Sequence, residues 1–170
     1  IVMAVMNGFR AELLNRIPGV NGHLTLQPAA LPLEDYDAIA KRIDAIPGVK
    51  YAIPQIDGQV LASGAAGPGT GAMVRGIRGD DLGRLSLVAD NIRQGTLEGF
   101  DAGEGVAIGR RMADNLGLVL GDRITLVSPE GDETPFGTTP RVKAYPVAAI
   151  FEVGMSEYDA AIIYMPLAEA

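Results

Sequence analysis

The polar residues most able to do chemistry in this chain are few and scattered. His23 is the only histidine and there is no cysteine, so neither a zinc site nor thiol chemistry is indicated. Asp80, Asp81, Asp101 and Glu104 could offer oxygen ligands to a hard cation, but they lack the ligand order of an EF-hand loop. Solvated loop acids are the simpler interpretation, and we predict no metal site.

A glycine-rich stretch from Gly103 to Gly109 invites comparison with a phosphate-binding loop. Its spacing differs from G-x-G-x-x-G, no lysine follows it as in a P-loop, and Glu104 would repel a phosphate. Ser63 lies in a run of small residues with no base marked beside it, and there is no G-x-S-x-G elbow. Two carboxylates brought together only by the fold would escape a sequence search. We predict no catalytic residue and no cofactor.

The composition indicates a protein domain with a real core and limits its partners. The chain has 170 residues, 48% of them hydrophobic, and a formal net charge of −7. A negative charge argues against nucleic acid, whose binding depends on neutralising phosphates, and against anionic lipid headgroups. No apolar run reaches the length of a membrane span. The apolar start, Ile1 to Met6, is typical either of a chain leaving a longer apolar segment or of a short buried helix, and we expect an excised piece of a longer protein.

The most unusual stretch runs from Pro129 to Arg141, between two strand candidates. It is longer than the loops that usually join adjacent strands, and long surface loops are often functional. Three prolines restrict its backbone, which lowers the entropy lost on binding a partner. Phe136 beside Gly137 presents an aromatic ring. The alternative is a hairpin loop with no binding role, whose Phe136 folds back onto the sheet.

Three sequence segments resemble the periplasmic domain of LolC-type and LolE-type lipoprotein-releasing permeases. Thr134 to Arg141 is similar to their Thr-Pro-x-Gly-x-x-Pro segment, Val5 to Phe9 to their Val-Met-Asn-Gly-Phe run, and Gly121 to Ile124 matches a third motif. In that family the first segment is a protruding hook that captures the periplasmic lipoprotein chaperone, LolA. The resemblance therefore implies partner-binding residues at Pro129, Thr134, Pro135, Phe136, Gly137, Thr138, Thr139, Pro140, Arg141 and Lys143.

Arg141 and Lys143 follow the hook one residue apart, so they should share one face of the emerging strand. In the LolC family, basic residues at the foot of the hook form a second contact for the chaperone. This chain departs from that pattern, because Thr125 stands where LolC carries a basic residue. The hook is also about one residue shorter between Pro129 and Pro135. The departure at Thr125 concerns the basic contact, and the shorter segment concerns the hook.

Apolar periodicity predicts an α+β fold. The predicted helices are Val2–Ile17, Leu33–Ile46, a short one at Asp80–Leu82, and one entered from Gly105 and ending near Leu116. The predicted strands are His23–Gln27, Val49–Ala62, Ala72–Ile77, Arg123–Val127, Val142–Phe151 as an edge strand broken by Pro146, and Ala160–Met165. We expect Tyr36, Ile39 and Ile43 to pack on a sheet containing Leu24–Leu26 and Ala52–Ile53.

The whole pattern resembles the two-part periplasmic domain shared by LolC, LolE and the MacB efflux permease. The resemblance implies a mixed-sheet porter-like part with packed helices and a smaller β-rich sabre-like part that bears a protruding hook loop. We predict a helix leaving a first membrane span over residues 1–21, a porter-like subdomain over 22–98 with 156–170, and a sabre-like subdomain over 99–155 with the hook at 129–141.

The function implied by the resemblance is that of a non-enzymatic domain on the periplasmic face of a Gram-negative inner membrane. The expected partners are LolA, a LolD-type ATPase that hydrolyses ATP in the cytoplasm, a second permease subunit or a second copy, and lipoprotein cargo. One alternative is a MacB-like efflux permease that moves drugs, toxins or peptides. Another, from a different class, is a soluble α/β enzyme.

Overall fold

A computed structural model describes residues 21–28, 35–65, 68–103, 105–134 and 137–170, with the side chains of 130–138 outside that description. The helices are α1 Tyr36–Asp44, α2 Gly79–Arg84, α3 Ser86–Ala89, α4 Arg110–Leu116 and α5 Ser156–Ala161, and short 3-10 helices span Phe100–Ala102 and Leu167–Glu169. The strands are β1 Ile56–Ser63, β2 Thr70–Ile77, β3 Ile92–Gly95, β4 Val106–Gly109, β5 Arg123–Thr134, β6 Gly137–Phe151 and β7 Ile162–Pro166. The helix predicted over Val2–Ile17 lies outside the described residues.

The seven strands form one mixed sheet in the order β3-β6-β4-β7-β2-β1-β5. β5 also pairs with β6, so the pairings from β6 through β4, β7, β2, β1 and β5 return to β6. The β2–β7 and β4–β6 pairs are parallel, while β1–β2 and β5–β6 are antiparallel. The mixed sheet with packed helices confirms the predicted α+β class.

The central strands are buried on both faces, because their side chains alternate between two apolar clusters. In β4, Val106 and Ile108 contribute to a cluster that includes Met112 of α4, whereas Ala107 belongs to the second cluster. Helices and loops cover the second cluster through residues such as Leu82. Such strands show a continuous apolar run rather than an alternating pattern.

That continuous run explains a wrong prediction at β4. Residues from Gly105 onward were predicted to enter a helix, but Val106–Gly109 is a strand and the helix begins at Arg110. Four apolar residues without alternation are too short for periodicity to separate a strand from a helix. The predicted end of the helix is confirmed, since Gly117 has a φ of 63° and adopts the left-handed conformation of a helix C-cap.

The predicted packing of the first helix is also wrong. Helix α1 forms within the predicted range, but it has no buried residue, and Tyr36 is 38% exposed. Residues 23–27 are not a strand, and the Leu24 side chain is 91% exposed. Ala52 and Ile53 precede β1 and lie outside every strand. Periodicity defined an apolar face on α1, but it does not specify which element covers that face.

Two further predictions need correction near the end of the chain. β6 is continuous through Pro146 and is paired with β4 from Val147 onward and with β3 near Phe151, so it is not an edge strand. Residues 152–159, predicted as a loop, include the start of helix α5. All seven strands belong to one sheet, so no break between sheets marks the porter-like and sabre-like parts, and that division stays a prediction.

Candidate partner-binding hairpin

The stretch from Pro129 to Arg141 is largely a β-hairpin, which corrects the prediction of a long loop. β5 pairs with β6 at Ser128↔Arg141, and again at Asp132↔Thr139, Glu133↔Thr138 and Thr134↔Gly137. Pro135 and Phe136 join the two paired strands and lie outside the described residues. The loop prediction was wrong because this stretch is rich in proline, glycine and acidic residues, which are depleted in strands and outweigh its threonines in the sequence pattern.

An irregularity in the hairpin coincides with two of its prolines. The register shifts between Ser128 and Asp132, so three residues of β5 stand opposite the single Pro140 of β6. Proline has no backbone N–H to donate across a ladder, and bulges are where sheets accommodate it. Pro129 lies in the extra segment and is exposed. The prolines thus divide the hairpin into an inner part within the sheet and an outer part.

The outer part of the hairpin leaves the sheet. β1 pairs with β5 only from Thr125 to Val127, and β4 pairs with β6 only from Val147 onward. Among the described pairings, residues 132–134 and 137–139 pair only with each other. A two-stranded ribbon of this kind exposes backbone groups along both edges, which makes it a natural binding element.

The two faces of the hairpin differ in chemistry. On one face the buried residues Ile124, Leu126 and Tyr145 belong to the first apolar cluster. Strand alternation places Lys143 and Arg141 next along that same face, and both are exposed. β6 runs through both residues, which confirms the prediction that they share a face.

The foot of the hairpin is its inner part, residues 125–128 of β5 with 141–144 of β6. There the opposite face is apolar or neutral. It carries Val142, which is 60% exposed, and Val127, its partner across the two strands. Thr125 pairs with Ala144 and lies on this same face. Thr125, where the resemblance implies a basic residue, is therefore on the other side of the ribbon from Arg141 and Lys143. The substitution at Thr125 leaves their basic face intact.

Lys143 is held by two neighbours that the sequence did not connect with it. Its Nζ lies 2.5 Å from the Oε2 of Glu169 and 5.0 Å from the centre of the Tyr145 ring. Glu169 belongs to the last 3-10 helix, 26 residues away in sequence. The sequence could have predicted only the contact between Lys143 and Tyr145, because these residues are two positions apart on one strand and therefore share a face.

The other polar side chains considered as metal ligands or catalytic groups make structural contacts. Among the residues that the structure describes, no group of three His, Asp or Glu side chains could hold a metal ion. Both oxygens of Asp101 accept the backbone N–H of Gly79, at 2.8 and 2.9 Å. Burial raises the pKa of Asp81, and the nearby Arg84, 3.3 Å from it, opposes that rise. Asp81 and Asp101 thus each have a local structural partner.

The glycine-rich stretch has no space for a phosphate at Gly109. A Cβ on this glycine would lie 2.2 Å from the backbone oxygen of Asp159. The Asp159 side chain in turn accepts hydrogen bonds from the N–H groups of Val153 and Gly154, at 2.8 and 3.1 Å. Burial raises the pKa of Asp159, whereas these two bonds lower it. The glycine permits close packing between the start of α4 and the backbone of helix α5 at Asp159.

We expect ATP, Zn²⁺ and Ca²⁺ to leave the melting temperature unchanged. A ligand at hundredfold excess over its dissociation constant would stabilise the native state by about 2.7 kcal/mol. The test is a thermal scan at millimolar ligand, with sodium chloride at matched ionic strength as the control. A saturating rise with any of the three would contradict this prediction and favour the enzyme or metal alternative.

In the part of the chain that the structure describes, every helix is too short or too polar to cross a bilayer.

Comparison with known proteins places this architecture among periplasmic domains. Residues 1–170 match the family model of the MacB-like periplasmic core domain. Over 158 residues, the chain is 30% identical to the "Lipoprotein-releasing system transmembrane protein LolC" of Xylella fastidiosa strain Temecula1, covering 92% of this chain and 38% of that protein. It is 28% identical over 160 residues to LolC of Neisseria meningitidis serogroup B, covering 94% and 38%.

A solved structure shares the fold at low sequence identity. The periplasmic region of MacB from Actinobacillus actinomycetemcomitans superposes with a TM-score of 0.51 at 12% identity, over 78% of this chain and 55% of that one. The chain spans 38% of the length of the LolC relatives.

Proposed function

We propose, because this chain belongs to the MacB-like periplasmic core domain family, that it is the periplasmic domain of an inner-membrane ABC permease of the lipoprotein-releasing type. Its hairpin recruits the periplasmic lipoprotein chaperone, LolA. ATP is hydrolysed by a separate LolD-type subunit in the cytoplasm, and a second permease subunit or a second copy completes the transporter. The relatives named LolC support the lipoprotein-releasing type.

One observation carries the proposal: a proline-rich hairpin extends beyond the sheet and has exposed cations along one face of its foot. The outer strands pair with each other from Asp132↔Thr139 to Thr134↔Gly137, so the hairpin backbone is largely fixed before binding. A preorganised element loses less entropy when a partner grips it. Arg141 and Lys143 then offer a second contact to acidic groups on the partner.

The two contacts make different contributions to binding. A single aromatic side chain, here Phe136, can dominate the energy of a small interface when it enters a pocket on the partner. Charges at the rim act mainly on the rate of association and weaken with added salt. The chain carries a net charge of −7, so an acidic chaperone is repelled by most of this domain. Arg141 and Lys143 at the foot of the hairpin form a small positive region that attracts acidic groups on the chaperone.

The test is a titration of the domain with its cognate lipoprotein chaperone, comparing wild type with Phe136→Ala. We expect binding to weaken by roughly 1–3 kcal/mol while thermal stability stays the same, because an anchor at the hairpin end contacts the partner rather than the core. Val119→Ala is the matched control. Val119 is 62% exposed, and it lies before the start of β5, at the strand's opposite end from the hairpin.

Two outcomes would contradict this assignment. Equal affinity of wild type and Phe136→Ala would remove the anchor from Phe136. A large loss of stability in Phe136→Ala would favour the alternative in which the ring packs on the sheet and has no binding role. Val119→Ala should change neither quantity, which separates a specific effect from the loss of any exposed apolar group.

A second candidate function rests on the structural similarity to the periplasmic region of MacB. In that case the domain belongs to an efflux permease, and the hairpin serves another partner. The same titration separates the two candidates, because only a lipoprotein-releasing permease is expected to bind the lipoprotein chaperone.

A further inference from the structure

An ion pair between Lys143 and Glu169 links the foot of the hairpin to the last described helix. Lys143 lies on β6, and Glu169 lies on the 3-10 helix that follows β7. Their charged atoms are 2.5 Å apart, and the two side chains are 42% and 28% exposed. Both partners are therefore partly shielded from water yet remain within reach of another molecule.

The surroundings favour the observed position of the lysine. The Lys143 ammonium lies 5.0 Å from the centre of the Tyr145 ring, within the distance of a cation–π contact. Tyr145 is only 5% exposed and belongs to the first apolar cluster, so it offers the ring from a fixed position. The ring therefore favours a position of the cation that is also within reach of Glu169.

The glutamate is positioned by the sheet rather than by a flexible tail. Its 3-10 helix begins directly after Pro166, the last residue of β7, and β7 pairs with β2. The Cβ of Ala170 would lie 2.3 Å from a Cβ on Gly76 of β2, so the end of this helix packs closely on that strand. The packing of this 3-10 helix on β2 therefore holds the Glu169 carboxylate beside Lys143.

We infer that Glu169 is a built-in competitor for the hairpin's basic contact. This inference rests on the proposed function, since it concerns the same chaperone site. An acidic group of the chaperone can pair with Lys143 only by replacing the Glu169 carboxylate or by sharing the ammonium with it. Glu169 therefore lowers the affinity for the acidic partner and reduces the salt dependence of binding.

The inference distinguishes the two cations of the basic face. Arg141 lies two residues from Lys143 along β6, toward the end of the hairpin. It pairs with Ser128 across the two strands and is exposed. Glu169 should therefore act on the contribution of Lys143 and leave that of Arg141 nearly unchanged. Where the partner replaces Glu169, its binding also breaks the ion pair between the hairpin and the segment that follows β7.

The test uses four forms of the domain: wild type, Glu169→Gln, Lys143→Met and the double variant. Association and dissociation rates for the purified lipoprotein chaperone are measured at about 50 mM and about 500 mM salt, a range over which exposed charges become largely screened. Glu152→Gln is the matched control, because Glu152 is 47% exposed, pairs with Arg93 at 3.2 Å and lies beyond the far end of β6 from the hairpin. It removes the same charge without touching Lys143.

We expect Glu169→Gln to tighten binding about two- to fivefold at low salt, mainly through faster association, as for a partly exposed ion pair. The gain should shrink at high salt. Lys143→Met should weaken binding, and adding Glu169→Gln to it should give no more than the change seen with Glu152→Gln. Melting temperatures of all forms are measured to show that each is folded.

Two results would overturn the inference. The first is an equal effect of Glu169→Gln and Glu152→Gln, which would show that only the net charge matters. Alternatively, Glu169→Gln could tighten binding equally with and without Lys143, which would show that it acts elsewhere. Absence of binding by wild type would refute the proposed function itself and this inference with it, and that outcome is distinct from the other two.

Discussion

Replacing residues 130–139 with a short Gly-Ser turn should abolish measurable binding of the lipoprotein chaperone and leave the domain folded. The fold should survive because the outer hairpin pairs only with itself in the described structure, from Asp132↔Thr139 to Thr134↔Gly137. The inner pairs, up to Ser128↔Arg141, keep β5 and β6 in the sheet. Binding should be lost because the replacement removes the anchor and the preorganised strands together.

The matched control keeps the hairpin and changes only its turn. Replacing Pro135-Phe136 with Asn-Gly retains two residues between the paired strands and favours a tight hairpin turn. This variant should bind more weakly than wild type through loss of the ring, yet better than the Gly-Ser replacement if the strands themselves contribute. Isothermal titration and urea unfolding of each form provide the measurements. Chaperone affinity equal to wild type in the Gly-Ser variant would exclude the hairpin as the binding element.

The parts of the fold that sequence predicted well are those where a local pattern has one structural solution. Residues 72–77 form most of β2, and Gly117 ends helix α4. A glycine after a helical pattern has a local cause, the left-handed C-cap. The apolar stretch of β7 was likewise found within two residues of its start.

The parts that failed depend on contacts between distant residues. Four apolar residues at β4 could be strand or helix, and only pairing with β6 and β7 decides for a strand. The alternation of Leu24 and Leu26 resembles a strand, but no described element pairs with it. Tertiary context overrides local propensity in both cases.

The candidate site shows the same division. The sequence placed Arg141 and Lys143 on one face of a strand, since strand alternation is a local rule. It did not connect Lys143 with Glu169, because the packing of the last 3-10 helix beside β2 brings them together. The extent of the hairpin was missed because cross-strand pairing of polar residues leaves no periodic apolar pattern to detect.

Gly109→Ala should destabilise the domain strongly, although it adds only one methyl group. Gly109 has a φ of −70°, which any residue can adopt, so backbone conformation is not the difficulty. The new Cβ would lie 2.2 Å from the oxygen and 2.6 Å from the carbonyl carbon and the Cα of Asp159, all backbone atoms. Relief requires moving helix α5 at Asp159, whose side chain accepts hydrogen bonds from the N–H groups of Val153 and Gly154.

Overpacking of this kind costs about 1–3 kcal/mol, and the rigid backbone contact places Gly109→Ala at or above the upper end. For a chain of this size that loss lowers the melting temperature by about 2–4 °C per kcal/mol. Gly58→Ala is the matched control, because Gly58 also lies in a strand, β1, and nothing lies within 4 Å of its added Cβ. It should be nearly neutral, or stabilise through the lower entropy of the unfolded chain. Urea unfolding of both variants tests this prediction. Equal midpoints would show that helix α5 shifts at Asp159 to accept the methyl group without a loss of stability.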